Sequence, residues 1–135
     1  MDLDIIIPAY NAKKTIKRLL YSIAIQRNAS GFHVYLINDC SDYDYKEEIS
    51  FFKEYYNINE LKLEKNSGPG LARQYGINHS KSKYITFMDA DDYFYDPYAL
   101  TSLYNDVINK ECDLLVSKFL YEKDNTRIVK EKNLI

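Results

Sequence analysis

Short apolar runs alternate with helical patterns along the chain. Runs rich in β-branched and aromatic residues predict strands, at Leu3–Ile7, Phe32–Ile37, Leu61–Leu63, Tyr84–Met88 and Asp113–Val116. Apolar residues at i, i+3, i+4 and i+7 predict a first helix, and they are Ile16, Leu19, Leu20 and Ile23. Asn11 precedes them as a candidate N-cap. Further helices are predicted over Tyr45–Tyr56, Gly70–Ser80 and Pro97–Asn109.

This order of elements predicts an α/β domain with a mostly parallel sheet, right-handed crossovers and helices on both faces. The strand Tyr84–Met88 is expected to be central and buried. Beyond Val116, the runs Lys118–Tyr121 and Arg127–Val129 flank a polar turn and predict a hairpin, and the end from Lys130 onward is expected to fray. Ligands bind such sheets at the carboxyl ends of the strands, so the polar clusters found there carry the functional argument.

Length, composition and charge narrow the class of protein. The 135 residues, 46% of them hydrophobic and 28% charged, fit one globular domain over positions 1–135. A net charge of -2 leaves no positive excess for a nucleic-acid partner. No apolar run reaches the roughly 20 residues of a transmembrane helix, which predicts a cytoplasmic protein, free or peripheral to a membrane. We expect free thiols at Cys40 and Cys112, and structural roles for His33 and His79.

The first polar cluster, Pro8-Ala9-Tyr10-Asn11, follows the first predicted strand. Pro8 stops the hydrogen-bond ladder, and the ring of Tyr10 can lie flat against a nucleotide base. The alternative is a plain strand-to-helix turn in which Asn11 only caps the helix.

The second cluster, Asn38-Asp39-Cys40-Ser41-Asp42, follows the second predicted strand. Its short side chains can hydrogen-bond base imides or ribose hydroxyls. Asp39 is the favoured contact because it is the first acid beyond the strand. An Asx-type turn formed for purely local reasons is the alternative.

The third cluster, Asp89-Ala90-Asp91-Asp92, directly follows Phe87-Met88. Three carboxylates in a partly dry cleft repel one another, which raises their pKa values unless a cation neutralises them. Oxygen ligands suit Mg²⁺ or Mn²⁺, which keep several waters and bridge to phosphates. The alternative is that Asp91 or Asp92 caps the following helix, although a cap would explain one acid and not all three.

A glycine-containing loop, Asn66-Ser67-Gly68-Pro69-Gly70, opens the helix that carries Arg73. Glycines let a ligand approach the backbone closely and a helix amino end favours anions, so Arg73 can reach a phosphate or a base. The loop lacks the Gly-Lys-Ser or Gly-Lys-Thr of a phosphate-binding loop. No Gly-x-Gly-x-x-Gly follows the first strand, which disfavours a dinucleotide oxidoreductase.

Taken together, these clusters resemble the inverting GT-A glycosyltransferases of family 2. The resemblance rests on motifs in the family's order, which are Ile5–Asn11, Asn38–Asp42, Asn66–Gly70 with Ala72-Arg73-Gln74 and Gly76-Ile77, and Met88–Asp92. It implies a Rossmann-like GT-A nucleotide-diphospho-sugar transferase fold. It also implies a nucleotide-sugar donor, preferably a UDP-sugar, and a saccharide or lipid-linked acceptor.

The resemblance further implies roles for single residues. The family's Asp-x-Asp motif falls on Asp89 and Asp91, the second acid holds Mn²⁺ or Mg²⁺ against the diphosphate, and Asp92 shares that duty. The metal screens the charge that develops on the departing nucleoside diphosphate. Contacts to the donor are implied at Pro8, Ala9, Tyr10, Asp39, Arg73, Asp89 and Ala90.

The chain departs from the family pattern in its motifs and in its length. Cys40 stands where the family has glycine, and Gln74 where it has Asn; both are expected to alter loop shape or donor preference without abolishing binding. The family normally continues with an acidic catalytic base and a Gln-x-x-Arg-Trp motif, and this sequence has no Trp. The base and most of the acceptor site are therefore expected outside this chain, as in a fragment or a truncated protein.

Three other classes stay open on the sequence. A non-catalytic nucleotide-binding or interaction module would account for the missing acceptor half. A nucleotidyltransferase uses a similar fold and metal, but usually has a Gly-rich basic loop where this chain has Pro8-Ala9-Tyr10-Asn11. A phosphoryl-aspartate hydrolase would carry its paired acids after the first strand.

Overall fold

The computed structural model describes residues 1–117, 119–123 and 126–130. Its main sheet has four parallel strands in the order β3-β2-β1-β4, which are β1 (Leu3–Ala9), β2 (His33–Asn38), β3 (Asn57–Lys62) and β4 (Tyr84–Phe87). The helices are α1 (Ile16–Ala24), α2 (Lys46–Phe52), α3 (Pro69–His79) and α4 (Ala99–Lys110). The predicted α/β architecture with a parallel sheet is confirmed.

The core forms because β1 lies between β2 and β4 and is buried on both faces along its whole length. Successive side chains of a strand point to opposite faces. On one face Leu3, Ile5 and Ile7 pack with apolar residues of α1, α2 and α4. On the other face Ile6 packs with Ala72 of α3. Each fully buried Ile or Leu contributes about 1.5–3 kcal/mol, and the expected coverage of both faces by helices is confirmed.

One expectation about the sheet is wrong. β4 pairs with β1 but lies at the edge of the sheet in the part of the chain that the structure describes. Phe87 is 42% exposed, whereas this strand was expected to be central and buried. The apolar character of β4 does not reveal its place in the strand order, because that place depends on which strands pair.

The predicted strand Asp113–Val116 is also wrong, since residues 113–116 form no strand. Leu114 is 79% exposed, so this apolar run has no sheet to pack against. The third predicted strand, Leu61–Leu63, is found but begins earlier, at Asn57, and ends at Lys62.

Asn11 is not the N-cap of α1, because that position belongs to Thr15. Asn11 has a φ of 48°, and its side chain bonds to the loop after β2. Its Nδ2 donates to Asp42 Oδ2 at 3.2 Å, and its Oδ1 accepts from the Asp42 amide at 2.9 Å. The sequence spacing suggested a local cap, but the actual partner lies 31 residues away.

A hairpin follows the main sheet, as predicted. β5 (Phe119–Lys123) pairs antiparallel with β6 (Thr126–Lys130), with Phe119 opposite Lys130. The polar turn was predicted over Glu122–Asn125, but Glu122 and Lys123 belong to β5. Lys130, where the end was predicted to fray, belongs to β6. The remaining turn residues Asp124 and Asn125, the residue Lys118, and residues 131–135 lie outside the described residues.

Both cysteines are free, as expected. His33 Nε2 lies 2.7 Å from Asn59 Oδ1, and His79 Nδ1 lies 2.8 Å from the Tyr75 carbonyl. None of the helices in the described part of the chain combines the length and the apolar character needed to cross a bilayer.

Candidate functional site

A cleft opens at the carboxyl ends of β1 and β4. The chain runs from β1 to β2 on one side and later returns to place β4 on the other side, and ligands of open α/β sheets bind where the strand order reverses in this way. The cleft has a volume of about 380 Å³. Its lining residues are Pro8, Tyr10, Asn11, Ala12, Thr15, Pro69, Arg73, Asp89, Ala90 and Asp91.

Most of the predicted site residues meet at this cleft, and these are Pro8, Tyr10, Arg73, Asp89, Ala90 and Asp91. Tyr10 is 55% exposed, so its ring is available to a ligand. Two predicted residues, Ala9 and Asp39, are buried and do not line the cleft. Their contact with a ligand stays a prediction.

Three further residues line the cleft without having been predicted as site residues, and these are Ala12, Thr15 and Pro69. Asn11 also lines the cleft, although it was considered only as a helix cap. Pro69 belonged to a loop already singled out. Ala12 and Thr15 carry no distinctive chemistry, and only the path of the chain from β1 into α1 brings them to the cleft.

The three acids after β4 converge. Asp89, Asp91 and Asp92 each offer a carboxylate oxygen, and these oxygens all lie within 4.8 Å of one another. Oxygens in one octahedral shell around Mg²⁺, each bound at about 2.0–2.1 Å, lie about 3–4 Å apart. The acid group therefore fits a hard divalent cation after a small contraction.

The alternative role of these acids as helix caps is wrong. α4 begins at Ala99 with Tyr98 as its N-cap residue, well beyond the acids. Instead the chain turns at the acids, where the Asp92 amide donates to the Asp89 carbonyl at 3.0 Å.

The acids are more exposed than the sequence suggested, since all three are solvent-accessible. Partial burial of its carboxyl raises the pKa of Asp92, the charges of Asp91 and Asp89 raise it further, and the charge of Arg18 lowers it. Arg73 Nη2 lies 2.5 Å from Asp89 Oδ1. Two arginines therefore relieve part of the repulsion, and the acids still outnumber them.

Asp39 ties three chain segments together beneath the cleft. Its Oδ1 accepts from the Ser67 amide at 2.7 Å and its Oδ2 from the Gly68 amide at 2.9 Å. Its own amide donates to the Ala9 carbonyl at 2.9 Å. The amides just before α3 were expected to attract a ligand anion, and in this structure they bind the protein's own carboxylate.

The loop that carries Asp39 shows why the family pattern has glycine at the position of Cys40. Cys40 has a φ of 60°, in the left-handed region where glycine is favoured. Asn38 Oδ1 accepts from the Ser41 amide at 2.8 Å, so this loop has a local side-chain-to-backbone bond, but it spans three residues rather than the two of an Asx turn. The second departure, Gln74, donates to Asn78 Oδ1 at 3.0 Å along the exposed surface of α3.

Comparison with known proteins identifies a matching family model and similar structures. Residues 4–134 match the model described as Glycosyl transferase family 2. Poly(ribitol-phosphate) beta-N-acetylglucosaminyltransferase TarS of Staphylococcus aureus is 33% identical over 95 residues, which are 69% of this chain and 17% of that protein. The chain thus spans about one sixth of this relative.

Two solved structures are similar in fold. The crystal structure of Staphylococcus aureus TarS 1-349 in complex with UDP-GlcNAc has a TM-score of 0.75 at 28% identity, and covers 82% of this chain and 32% of that one. The mannosyltransferase PcManGT from Pyrobaculum calidifontis, in complex with GDP-Man and Mn²⁺, has a TM-score of 0.72 at 16% identity. That match covers 78% of this chain and 32% of the other, and at this identity it supports the fold alone.

Proposed function

The chain belongs to glycosyl transferase family 2 and has the GT-A fold, and from this premise we propose that it binds the nucleotide-sugar donor of a metal-dependent glycosyl transfer. The observation that carries the proposal is the cleft between β1 and β4, which Tyr10, Arg73, Asp89 and Asp91 line. Asp92 does not line the cleft, but its carboxylate lies close to those of the other two acids. An aromatic ring, a guanidinium and a carboxylate cluster are the groups that a base, a diphosphate and its cation require.

The nucleoside is proposed to lie at the β1 side of the cleft. The exposed ring of Tyr10 stacks on the base, while Pro8 forms the wall beside it and the buried Ala9 follows Pro8 in β1. Asp39 lies behind this wall, and its two oxygens hold the Ser67 and Gly68 amides. An ionised carboxylate has about four lone-pair sites, so Asp39 retains capacity to accept a hydrogen bond from the imide of a base.

The diphosphate is proposed to lie at the β4 side, between Arg73 and the acids, beside the small residue Ala90. Asp89 is already paired with Arg73, which leaves Asp91 and Asp92 as the principal holders of Mn²⁺ or Mg²⁺. When bound, the cation would screen the charge that develops on the departing diphosphate. Arg73 would supply a fixed positive charge to the same group.

A UDP-sugar is the proposed donor, because the similar TarS structure, at 28% identity, is a complex with UDP-GlcNAc. Residues 1–135 form the proposed donor-binding unit, with the base for a saccharide or lipid-linked acceptor supplied by a part of the enzyme outside these residues. Membership of family 2 sets aside the nucleotidyltransferase and phosphoryl-aspartate hydrolase alternatives.

Calorimetry with UDP, in the presence and absence of Mn²⁺, tests the donor proposal. We expect UDP to bind tightly only with Mn²⁺, and Asp91→Asn to remove the effect of the metal. Asp106→Asn is the matched control, because Asp106 is an exposed acid on α4 that pairs with Lys110. Equal UDP affinity with and without the metal, or no affinity for any nucleoside diphosphate, would contradict the proposal.

Turnover separates an enzyme from a non-catalytic binding module. Metal-dependent hydrolysis of a UDP-sugar that disappears in Asp91→Asn would exclude the module. Metal-dependent UDP binding with no hydrolysis or transfer would favour the module instead.

A further inference from the structure

One face of α1 and the turn after it carries polar side chains that the donor site does not use. Arg18, Ser22 and Gln26 are spaced i, i+4 and i+8, which aligns them along one side of a helix. All three hydrogen-bond to the segment of residues 89–100, which leads from the acids into α4. This set of three residues is called the α1 polar row.

Each member of the α1 polar row contacts a different part of that segment. Arg18 Nη2 donates to the Asp91 carbonyl at 3.0 Å. Ser22 Oγ accepts from the Phe94 amide at 3.0 Å. Gln26 Nε2 donates to the Asp96 carbonyl at 3.0 Å, and its Oε1 accepts from the Leu100 amide at 2.9 Å.

The segment needs these partners because residues 89–98 form turns, bends and irregular backbone rather than a helix or strand. Its backbone groups therefore lack the internal ladder that regular structure supplies. Ser22 is 3% exposed, and its bond to the Phe94 amide lies away from water. Removing the hydroxyl would leave that buried amide unpaired, which is the costly case for a hydrogen bond.

From these contacts we infer that Ser22 and Gln26, with Arg18 at the charged end of the row, are positioning residues of the acid group. Arg18 holds the carbonyl of Asp91 itself, whereas Ser22 and Gln26 hold the chain that directly follows the acids, from Phe94 to Leu100. The row itself lies outside the cleft lining. Ser22 and Gln26 are uncharged, so they act through geometry rather than by attracting or repelling a cation. The identity of the ligand of the acids rests on the proposed function. The effect of the row on the segment does not depend on that function.

The experiment compares Ser22→Ala and Gln26→Ala with Ser82→Ala. Ser82 is the matched control, because its hydroxyl donates to Asp4 Oδ1 at 2.8 Å near the start of β1, at the opposite end of the sheet. Two quantities are measured for each protein. The first is the amide hydrogen exchange of residues 91–96 without ligand, and the second is the ratio of UDP affinities with and without Mn²⁺.

We expect exchange in residues 91–96 to rise about 3- to 10-fold in the two row variants, because Ser22→Ala leaves the buried Phe94 amide unpaired and Gln26→Ala removes two hydrogen bonds to the segment. The affinity ratio should fall by about the same factor. Ser82→Ala should lower the melting temperature but change neither quantity. Arg18→Lys should preserve slow exchange better than Arg18→Gln, because Lys keeps a positively charged donor whereas Gln keeps only a neutral one.

The outcomes separate this inference from the proposed function. Unchanged exchange in both row variants would overturn the inference. Where the wild-type UDP affinity depends on Mn²⁺, faster exchange with an unchanged affinity ratio would also overturn it, since the row would then be merely structural. If the UDP affinity of the wild-type protein is the same with and without Mn²⁺, the proposed function is overturned. In that case, faster amide exchange of residues 91–96 in the row variants, with no change in Ser82→Ala, would still support the inference that the row positions the segment after the acids.

Discussion

Arg73 Nη2 and Asp89 Oδ1 lie 2.5 Å apart, which joins the first turns of α3 to the end of β4 across the cleft. Both side chains are partly exposed, so the pair contributes at most about 1 kcal/mol to stability. Its main consequence is for the arrangement of charge. Asp89 already has a cationic partner, so the proposed function assigns the metal mainly to Asp91 and Asp92.

Substitution of Arg73 should weaken the binding of UDP with Mn²⁺. We expect Arg73→Ala to lower the affinity about 10-fold, equivalent to about 1.4 kcal/mol, because a diphosphate loses its charged partner. The melting temperature should change little. Calorimetry measures the affinity, and Gln74→Ala, on the exposed surface of the same helix, serves as the control. An equal loss in the control would show that α3 itself is disturbed.

The acids should not be equivalent. Asp91→Asn is expected to remove the Mn²⁺ dependence of UDP binding, whereas Asp89→Asn should reduce it only in part because Arg73 holds Asp89. The titration of bound Mn²⁺ by electron paramagnetic resonance compares the two variants. Equal losses of Mn²⁺ binding in Asp91→Asn and Asp89→Asn would contradict the proposal that Asp91 is the stronger metal ligand.

Asp4 should make stability depend on pH at the acidic end. Its buried carboxylate accepts hydrogen bonds from the Ser80 and Ser82 hydroxyls and from the Lys81 and Ser82 amides. Burial raises the pKa of Asp4, but these hydrogen bonds outweigh it, and the pKa lies below its ordinary value of 3.8. The stabilisation is therefore complete above the unfolded pKa, and is lost as pH falls through the lower folded pKa.

Urea unfolding of Asp4→Asn at pH 7 and at pH 3 tests this dependence. We expect a loss of about 1–3 kcal/mol at pH 7 and a smaller difference from the wild type at pH 3. Asp2→Asn is a nearby control, because Asp2 is exposed and its Oδ1 accepts from the Lys83 amide alone. A difference that is the same at both pH values would contradict the assignment.

Gly76 should not tolerate alanine, although alanine is the better helix former by about 1 kcal/mol. A Cβ at Gly76 would lie 2.5 Å from Ile6 Cγ2 of β1, and overpacking of this kind costs about 1–3 kcal/mol. We expect a net loss of up to about 2 kcal/mol in thermal or urea unfolding. Gly70→Ala is the matched control on the same helix, because its Cβ would meet nothing within 4 Å, and it should be neutral or stabilising.

Cys40→Gly should be at least as stable as the wild type. The left-handed backbone of Cys40 costs a non-glycine residue on the order of 1 kcal/mol, which glycine avoids at some cost in unfolded-chain entropy. Cys40→Ala keeps the strain and should be about 1 kcal/mol less stable than Cys40→Gly. A more stable alanine variant in urea unfolding would show that the conformation carries no strain.

The polar clusters show which parts of the candidate site could be predicted from the sequence. Tyr10, Arg73 and Asp91 were predicted as site residues because each follows a strand or opens a helix. In a parallel sheet those positions share one edge, and all three line the cleft. The left-handed backbone at Cys40 is also indicated by the sequence, because the family pattern has glycine at this position.

The sequence by itself determined the types and order of most elements and the edge of the sheet at which polar residues gather, because apolar periodicity and turn residues act over a few neighbouring positions. Only the tertiary structure decided that β4 lies at the sheet edge and that the Asp39 carboxylate binds the amides before α3. Only the tertiary structure also decided that Ser22 and Gln26 hydrogen-bond to the segment after the acids. These features depend on contacts between residues distant in the chain, and such contacts leave no periodic trace in the sequence.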